Sequence, residues 1–132
     1  MVTAKANIKF GWLWILFGII SGMILGLFAF NGPIQLSPAL MDYSSLPRRF
    51  LRLAHISFFG LGFLNWIYGM SLNNLKLKAD KLTSELLIFG SVTMALFLII
   101  SAFYEPFKYF LAIPALSLLI AVALFFKSLI SK

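Results

Sequence analysis

The sequence predicts an all-α integral membrane protein, an antiparallel bundle of four transmembrane helices forming one domain over residues 1–132. Hydrophobic residues make up 61% of the chain and charged residues 11%, and the mean hydropathy is +0.98. A soluble domain is about half apolar and about a quarter charged, so this chain has too little polar surface for water. The charges also lie between four long apolar runs, which is the pattern of a multi-pass protein.

The four apolar runs are each close to the length that crosses a bilayer, which is about 20 residues in a helix. They are Phe10–Phe30, Leu53–Leu72, Leu86–Phe103 and Tyr109–Phe126. A helix is expected for each, because lipid offers no hydrogen bonds and a helix satisfies its own backbone. With their flanking turns, the runs predict helices at residues 10–30, 47–74, 84–103 and 107–128.

The first predicted helix carries glycine at every fourth position, at Gly18, Gly22 and Gly26. These residues form one flat face, along which a second helix backbone can approach closely. The pattern predicts tight helix packing, and the sequence leaves open whether the partner helix belongs to this chain or to another.

Turn and cap residues place the boundaries of the second helix. The segment Asn31–Pro33 contains glycine and proline, which end the first helix. Ser37 and Pro38 can start a short helical turn on the membrane surface. Ser45 followed by Pro47 has the pattern of a helix N-terminus.

The last two helices are joined by the tight turn Tyr104–Pro106, which predicts an antiparallel pair. Thr83 or Ser84 is expected to cap the third helix, with Glu85 in its first turn, near the positive end of the helix dipole. Pro114 is expected to kink the fourth helix.

The distribution of basic residues predicts that both termini lie in the cytoplasm. With four spans, one side of the membrane receives both termini and the loop between the second and third helices. That side holds seven basic residues, namely Lys5, Lys9, Lys76, Lys78, Lys81, Lys127 and Lys132. The other side holds four, Arg48, Arg49, Arg52 and Lys108. Because basic loops prefer the cytoplasm, the net charge of +7 indicates topology and not nucleic-acid binding.

The N-terminal end of the second helix carries the most distinctive residues of the chain. Arg48, Arg52 and His55 are spaced i, i+4 and i+7, so they share one helix face. Gly62 and Gly69 continue that face at seven-residue steps. At about 1.5 Å per residue, His55 would lie about 10 Å deeper than Arg48. This geometry suits a haem b, with the imidazole on iron and the arginines on the propionates, and the glycines leave room for the flat macrocycle or for a closely packed helix.

The segment RRFLRLAHISFFGLGFLNWIYG, Arg48–Gly69, resembles the histidine-bearing helices of haem-containing respiratory membrane proteins of the haem–copper oxidase type. The resemblance implies a propionate-binding arginine pair at Arg48 and Arg49 and an axial ligand at His55. It covers this one helix, and the chain departs from that family in having four predicted helices and a single histidine. Oxygen chemistry at a haem–copper centre is therefore not implied.

Simpler structural roles compete with the haem site. Arginines at a membrane boundary commonly bind lipid phosphates, and a histidine just inside the interface is usually hydrogen-bonded to a neighbour. Haem would also need a second axial ligand, from Met23, Met94, a partner chain or His55 of a second copy. Asn65 is expected to make a hydrogen bond between helices.

The ionisable residues limit the functional classes. The four acids, Asp42, Asp80, Glu85 and Glu105, all lie outside the apolar runs, which disfavours an ion-coupled transporter. One histidine and no cysteine leave no catalytic triad or metal-binding cluster in the sequence. We therefore predict a non-catalytic accessory or scaffold subunit of a larger membrane complex of respiratory type. Its expected partners are membrane lipids and other membrane subunits, or further copies of itself.

Two alternatives remain open. The first is a haem b-binding electron-transfer subunit centred on His55, with Arg48, Arg49 and Arg52 contacting propionates or lipid. The second and more distant one is a small transporter or channel, lined by Asn65, Ser91, Thr93 and Ser101.

Overall fold

The computed structural model describes residues 2–29, 32–77 and 80–131. Over these residues the protein is α-helical and has no strand. The elements are α1 (Val2–Phe28), α2 (Pro38–Met41), α3 (Leu46–Asn74), α4 (Lys81–Phe103), a 3-10 helix (Glu105–Leu111) and α5 (Ala112–Ile130). Four segments are long and apolar enough to cross a membrane: Thr3–Phe28, Leu46–Asn74, Lys81–Phe103 and Glu105–Ile130. The prediction of an all-α, four-helix protein is therefore confirmed.

The helix α1 begins well before the apolar run that predicted it. Its first turns carry Lys5, Asn7 and Lys9, none of which prevents a helix, so it starts at Val2 and not at residue 10. Its last residue is Phe28. Four residues used in the sequence predictions lie outside the described residues: Phe30, Asn31, Lys78 and Lys132.

The N-termini of α2 and α3 follow the turn chemistry of the sequence. Ser37 precedes α2, which starts at Pro38. Ser45 caps α3, where its hydroxyl accepts the backbone N–H of Arg48 at 3.2 Å. Pro47 lies in the first turn, where its missing N–H has no partner to lose. Both helices start where the serine–proline pattern predicts.

The helix α4 begins earlier than the predicted start at residue 84, because Asp80 and not Thr83 or Ser84 caps it. The Asp80 carboxylate accepts the backbone N–H groups of Leu82 at 3.1 Å and Thr83 at 3.3 Å. The pKa of the Asp80 carboxyl lies below its usual range, and the largest cause is the hydrogen bond that the Thr83 hydroxyl donates to it at 2.5 Å. The two backbone N–H groups lower this pKa further. A carboxylate has two acceptor oxygens and satisfies more donors than a hydroxyl, so it is the stronger cap.

The fourth span changes helix type along its length. Glu105–Leu111 is a 3-10 helix and α5 begins at Ala112, so Pro114 lies in the first turn of α5. The backbone N–H groups of a first turn have no partner within their helix, and proline there loses no hydrogen bond. Pro114 therefore lies near the start of an α-helix and not in the helix interior where the kink was predicted, and the helix type changes just before it.

Neighbouring helices run antiparallel, with α3 and α4 in the middle of the arrangement. The helix α1 packs chiefly on α3, and α5 packs chiefly on α4. The directions of α1 and α3 are opposite, because Gly69 lies beside Ala4 whereas Gly22 lies beside His55. The start of α3 likewise meets the end of α4 in a cluster of apolar residues: Phe50, Ala54, Leu98 and Ala102.

A second apolar cluster fills the opposite end of the bundle. All four long helices contribute to it: Ala4, Tyr68, Leu72, Leu87 and Ala121. The hydroxyl of Tyr68 donates to the backbone carbonyl of Asp80 at 3.2 Å, which ties the loop before α4 to the bundle. Large apolar side chains such as Met23, Phe103 and Leu119 are exposed on the outer surface, as expected of helices that face lipid.

Candidate functional site

Close packing of α1 on α3 sets up the candidate site. A Cβ atom added at Gly18 would lie 2.9 Å from the ring of Phe59, and one at Gly22 would lie 2.7 Å from Cε1 of His55. One added at Gly26 would meet nothing within 4 Å. The partner that the sequence left open is therefore α3 of the same chain, which covers two of the three predicted glycine positions.

The glycines of α3 make the same contact from the other side. A Cβ atom added at Gly69 would lie 2.6 Å from the carbonyl oxygen of Ala4, and one at Gly62 would lie 3.0 Å from that of Gly11. Gly11 was missed by the sequence prediction, although it precedes Gly18 by seven positions and so continues the same face. Of the two roles predicted for Gly62 and Gly69, these contacts are those of a closely packed helix.

His55 lies at the contact between α1 and α3. Its Nδ1 is 2.9 Å from Oγ of Ser21, and the Ser21 hydroxyl donates to the carbonyl of Gly18 at 2.9 Å. With the single Ser21 hydroxyl proton on the Gly18 carbonyl, the contact with His55 requires the tautomer in which Nδ1–H donates to Ser21. This tautomer leaves Nε2 as an acceptor, which is the state in which an imidazole binds a metal or a hydroxyl donor.

The three arginines at the start of α3 differ in their surroundings. Arg48 is 4% exposed, and its guanidinium lies 4.7 Å from the centre of the Phe28 ring. Arg52 is half-buried, with its guanidinium 3.7 Å from the centre of the Tyr43 ring, whereas Arg49 is exposed. The Nε and Nη1 atoms of Arg48 and the Nε atom of Arg52 are buried without a hydrogen-bond partner. The predicted propionate pair, Arg48 and Arg49, is thus split between a buried and an exposed position.

A cavity of about 310 Å³ lies beside His55, between α1, α3, α4 and the segment that precedes α3. We call it the His55 cavity. Ser21 and His55 are its polar lining residues. The other lining side chains are apolar: Ile24, Leu25, Phe28, Leu36, Leu40, Leu51, Ala54, Phe58, Ile99 and Phe103. Small-molecule sites enclose roughly 300–1,000 Å³, so this cavity has room for a small or slender apolar ligand.

Among the described residues that line the His55 cavity, His55 is the one candidate for an axial haem ligand. Met23 and Met94 do not line the His55 cavity. Met23 is 69% exposed, and Met94 packs against the apolar cluster around Phe50 and Ala54. A haem with two axial ligands therefore does not fit within one copy of the chain. Within the described part of the chain, no three histidine, aspartate or glutamate residues lie together as a metal site would require.

A second polar cluster lies between α1, α3 and α4. Nδ2 of Asn65 donates to Oγ of Ser91 at 2.9 Å, and Nδ2 of Asn7 donates to Oδ1 of Asn65 at 2.8 Å. The hydroxyl of Ser84 donates to Oδ1 of Asn7, and all four side chains are buried. The interhelical bond expected of Asn65 is confirmed. Asn7 was missed because it precedes the apolar run that predicted the first helix.

The side chains considered for a channel do not surround the His55 cavity. Asn65 and Ser91 are bonded to each other, and Thr93 donates to the carbonyl of Phe89 in its own helix at 2.7 Å. The hydroxyl of Ser101 is buried without a hydrogen-bond partner. Three of these four side chains therefore make hydrogen bonds within the chain.

No family model, curated protein or solved structure matches the chain. The resemblance of Arg48–Gly69 to haem-binding helices stays a prediction, and the contacts of the described residues are the basis for a functional proposal.

Proposed function

We propose that the chain is a non-catalytic integral membrane subunit of a larger membrane assembly. The observation that supports this proposal is the position of the two outer helices. Because α1 packs chiefly on α3 and α5 chiefly on α4, each has an outer side with few contacts to the rest of the chain. Large exposed apolar residues occupy these sides, among them Leu16 and Ile20 on α1 and Leu119 and Phe126 on α5. In a membrane such sides face lipid or the helices of other subunits, and the proposal assigns one of them to a partner.

The buried polar cluster agrees with a structural role. Asn7, Asn65, Ser84 and Ser91 direct their hydrogen bonds to one another across three helices. Hydrogen bonds of this kind hold transmembrane helices together and fix their register. Side chains already bonded in this way are suited to positioning helices and poorly suited to binding a substrate.

Both termini are proposed to lie in the cytoplasm. The antiparallel packing brings the start of α1, the loop between α3 and α4 and the end of α5 to one end of the bundle. The basic residues described at this end are Lys5, Lys9, Lys76, Lys81 and Lys127. Those at the other end are Arg48, Arg49, Arg52 and Lys108. The first end therefore has five of the described basic residues against four, and it is the end expected inside the cell.

Purification from the native membrane in mild detergent tests the subunit proposal. We expect the chain in a particle larger than a monomer, with other membrane proteins at a fixed stoichiometry. The variants Leu119→Asn on α5 and Leu16→Asn on α1 place the same polar group on the two outer sides. Loss of the partners from one variant identifies the interface, and the other variant serves as its control. A folded, solitary, monodisperse monomer would contradict the proposal.

A second candidate function is electron transfer by a haem b bound to His55. The observation that favours it is the contact between Nδ1 of His55 and Ser21, since a fixed Nδ1 leaves Nε2 available for iron. Haem would supply one-electron transfer, and its second axial ligand would belong to another chain.

An absorption spectrum of the gently solubilised protein, oxidised and then reduced with dithionite, tests this second candidate. A b-type spectrum that is lost in His55→Ala and kept in the exposed control Asn73→Ala would support it. A featureless spectrum from the protein in its native assembly would contradict electron transfer and leave the subunit proposal standing.

A further inference from the structure

We propose that the His55 cavity and the neighbouring arginines bind one anionic amphiphile, a carboxylate or phosphate head on an acyl chain. The acyl chain would occupy the cavity, and the head would pair with Arg48 and Arg52. Two observations lead to this assignment independently: the apolar lining of the cavity, and a buried arginine that has no acidic partner in the described residues.

The His55 cavity has the lining of a site for a hydrocarbon chain. Apart from Ser21 and His55, every lining side chain is aliphatic or aromatic. The Ser21 hydroxyl and Nδ1 of His55 already bond to each other, so an acyl chain beside them leaves neither group without a hydrogen-bond partner. Filling such a cavity with an apolar chain gains the dispersion contacts that its lining lacks when empty.

Arg48 lacks the anion that a buried guanidinium requires. It is 4% exposed, and its Nε and Nη1 atoms are buried without a hydrogen-bond partner. The salt bridges of the described residues, Lys81–Glu85 and Lys108–Glu105, involve no arginine. An unpaired buried charge is strongly unfavourable, so an anion from outside the chain would stabilise this position. The positive end of the α3 dipole adds to the attraction.

Phe28 lies between the guanidinium of Arg48 and the His55 cavity. Its ring lines the His55 cavity, and the guanidinium of Arg48 lies 4.7 Å from the ring centre. Arg52 follows one helical turn later, and its Nε is also buried without a partner. At about 1.5 Å per residue, His55 lies about 10 Å from Arg48 along α3. An acyl chain whose head group is bound by the arginines, and which extends towards His55, therefore enters the bundle through the His55 cavity.

The segment that covers this site is small. Leu36 and Leu40 line the cavity from the stretch between α1 and α3, and α2 within that stretch has four residues that pack chiefly on α3. To present Nε and Nη1 to a head group, the Arg48 side chain must rotate away from Phe28. Its long, unbranched stem allows this rotation, and its planar fork then matches a carboxylate or phosphate.

Native mass spectrometry of the full chain in a neutral detergent tests the proposal. The protein is titrated with two matched pairs of probes: phosphatidic acid against diacylglycerol of the same acyl chains, and palmitate against methyl palmitate. We expect one charged molecule bound per chain. The uncharged probe of each pair should bind at least roughly tenfold more weakly than the charged one. A difference of this size is expected from the loss of one charge-assisted hydrogen-bonded pair.

Two pairs of variants locate the site. Arg48→Gln should weaken binding of the charged probe roughly tenfold or more, whereas Arg49→Gln, the same charge change at an exposed neighbour, should leave it unchanged. Leu25→Phe fills the cavity without changing charge and should also weaken binding, whereas Leu16→Phe on the outer side of α1 should not. If Arg48→Gln does not fold, the comparison of Leu25→Phe with Leu16→Phe tests the proposal.

Preference for phosphatidic acid would identify the ligand as a phospholipid, and preference for palmitate as a free fatty acid; both outcomes support the site. Equal binding of the charged and uncharged probes would overturn it. So would equal losses in Arg48→Gln and Arg49→Gln, or unchanged binding in Leu25→Phe. A b-type absorption band that depends on His55, in protein that binds none of the probes, would assign the cavity to haem and also overturn it.

Discussion

The side-chain amide of Asn7 donates a hydrogen bond to the side-chain oxygen of Asn65 at 2.8 Å, and neither residue has any exposed surface. The two residues lie on α1 and α3, the pair of helices brought close by their glycines. Asn65 also donates to Ser91 on α4. One amide therefore joins three helices, and in lipid such a bond has no competition from water, which makes it a marker of helix register.

Replacing Asn65 is expected to destabilise the bundle. Asn65→Leu removes the bonds to Asn7, to Ser91 and to the carbonyl of Leu61, and it leaves the buried amide of Asn7 without its acceptor. The expected loss in the free energy of unfolding is about 1–3 kcal/mol, measured by equilibrium unfolding in mixed micelles. Asn73→Leu, at an exposed position of the same helix, is the control. Equal losses in both variants would mean that the network contributes nothing specific.

Part of this arrangement could be predicted from the sequence, and the limits have physical causes. Asn65 lies inside an apolar run, where a polar side chain needs a partner, so its hydrogen bond was predictable. Asn7 lies between Lys5 and Lys9, before the first apolar run. The sequence pattern there is the same for a residue buried inside a helical bundle and for a residue in a solvated N-terminus. The glycines of α1 predicted a close contact, but a single-chain pattern contains no information on which helix makes it. Only the three-dimensional packing shows that Gly22 meets His55.

The same distinction applies to helix boundaries and to the candidate site. Pro47, two residues after Ser45, fixes the start of α3, whereas Asp80, Thr83 and Ser84 are all good cap residues within one turn and no proline follows them. The carboxylate that accepts several donors is the one used. The shared face of Arg48 and Arg52 was predictable from their spacing, but their stacking on aromatic rings of other segments was not.

The glycine contacts give a second prediction. Gly69→Ala would place a Cβ atom 2.6 Å from the carbonyl oxygen of Ala4, and this backbone atom cannot move without shifting α1. The expected loss in the free energy of unfolding is about 1–3 kcal/mol. Gly26→Ala meets nothing within 4 Å and should keep the stability or raise it by up to about 1 kcal/mol, because alanine is the better helix former. Thermal unfolding in detergent measures both, and a larger loss in Gly26→Ala would contradict the packing.

The cap of α4 predicts a pH dependence. Hydrogen bonds from the Thr83 hydroxyl and from two backbone N–H groups lower the pKa of the folded Asp80 carboxyl. The contribution of Asp80 to stability is therefore present above the unfolded-state pKa of about 3.9, and it is lost as the pH falls through the lower folded-state value. Asp80→Ala should lower the free energy of unfolding by about 1 kcal/mol at neutral pH.

The difference between the native chain and Asp80→Ala should shrink below about pH 4, as followed by unfolding in detergent across that range. Glu85→Ala on the same helix is the control, since its ion pair with Lys81 spans 3.5 Å between exposed side chains and such pairs contribute little. A difference for Asp80→Ala that stays constant through the acid range would mean that the carboxylate charge has no part in the cap.

The proposed topology is open to a direct test because the native chain has no cysteine, so each single-cysteine variant carries one thiol. Ser44→Cys lies in the exposed segment before α3, and Ser131→Cys lies in the exposed residue after α5. With both termini in the cytoplasm, a membrane-impermeant maleimide added to intact cells should label Ser44→Cys and not Ser131→Cys. After permeabilisation, both variants should be labelled, which controls for reactivity. The opposite pattern in intact cells would contradict the proposed topology and place the arginines of α3 in the cytoplasm. The preference of basic loops for the cytoplasm would then not explain the larger number of lysines at the other end of the bundle.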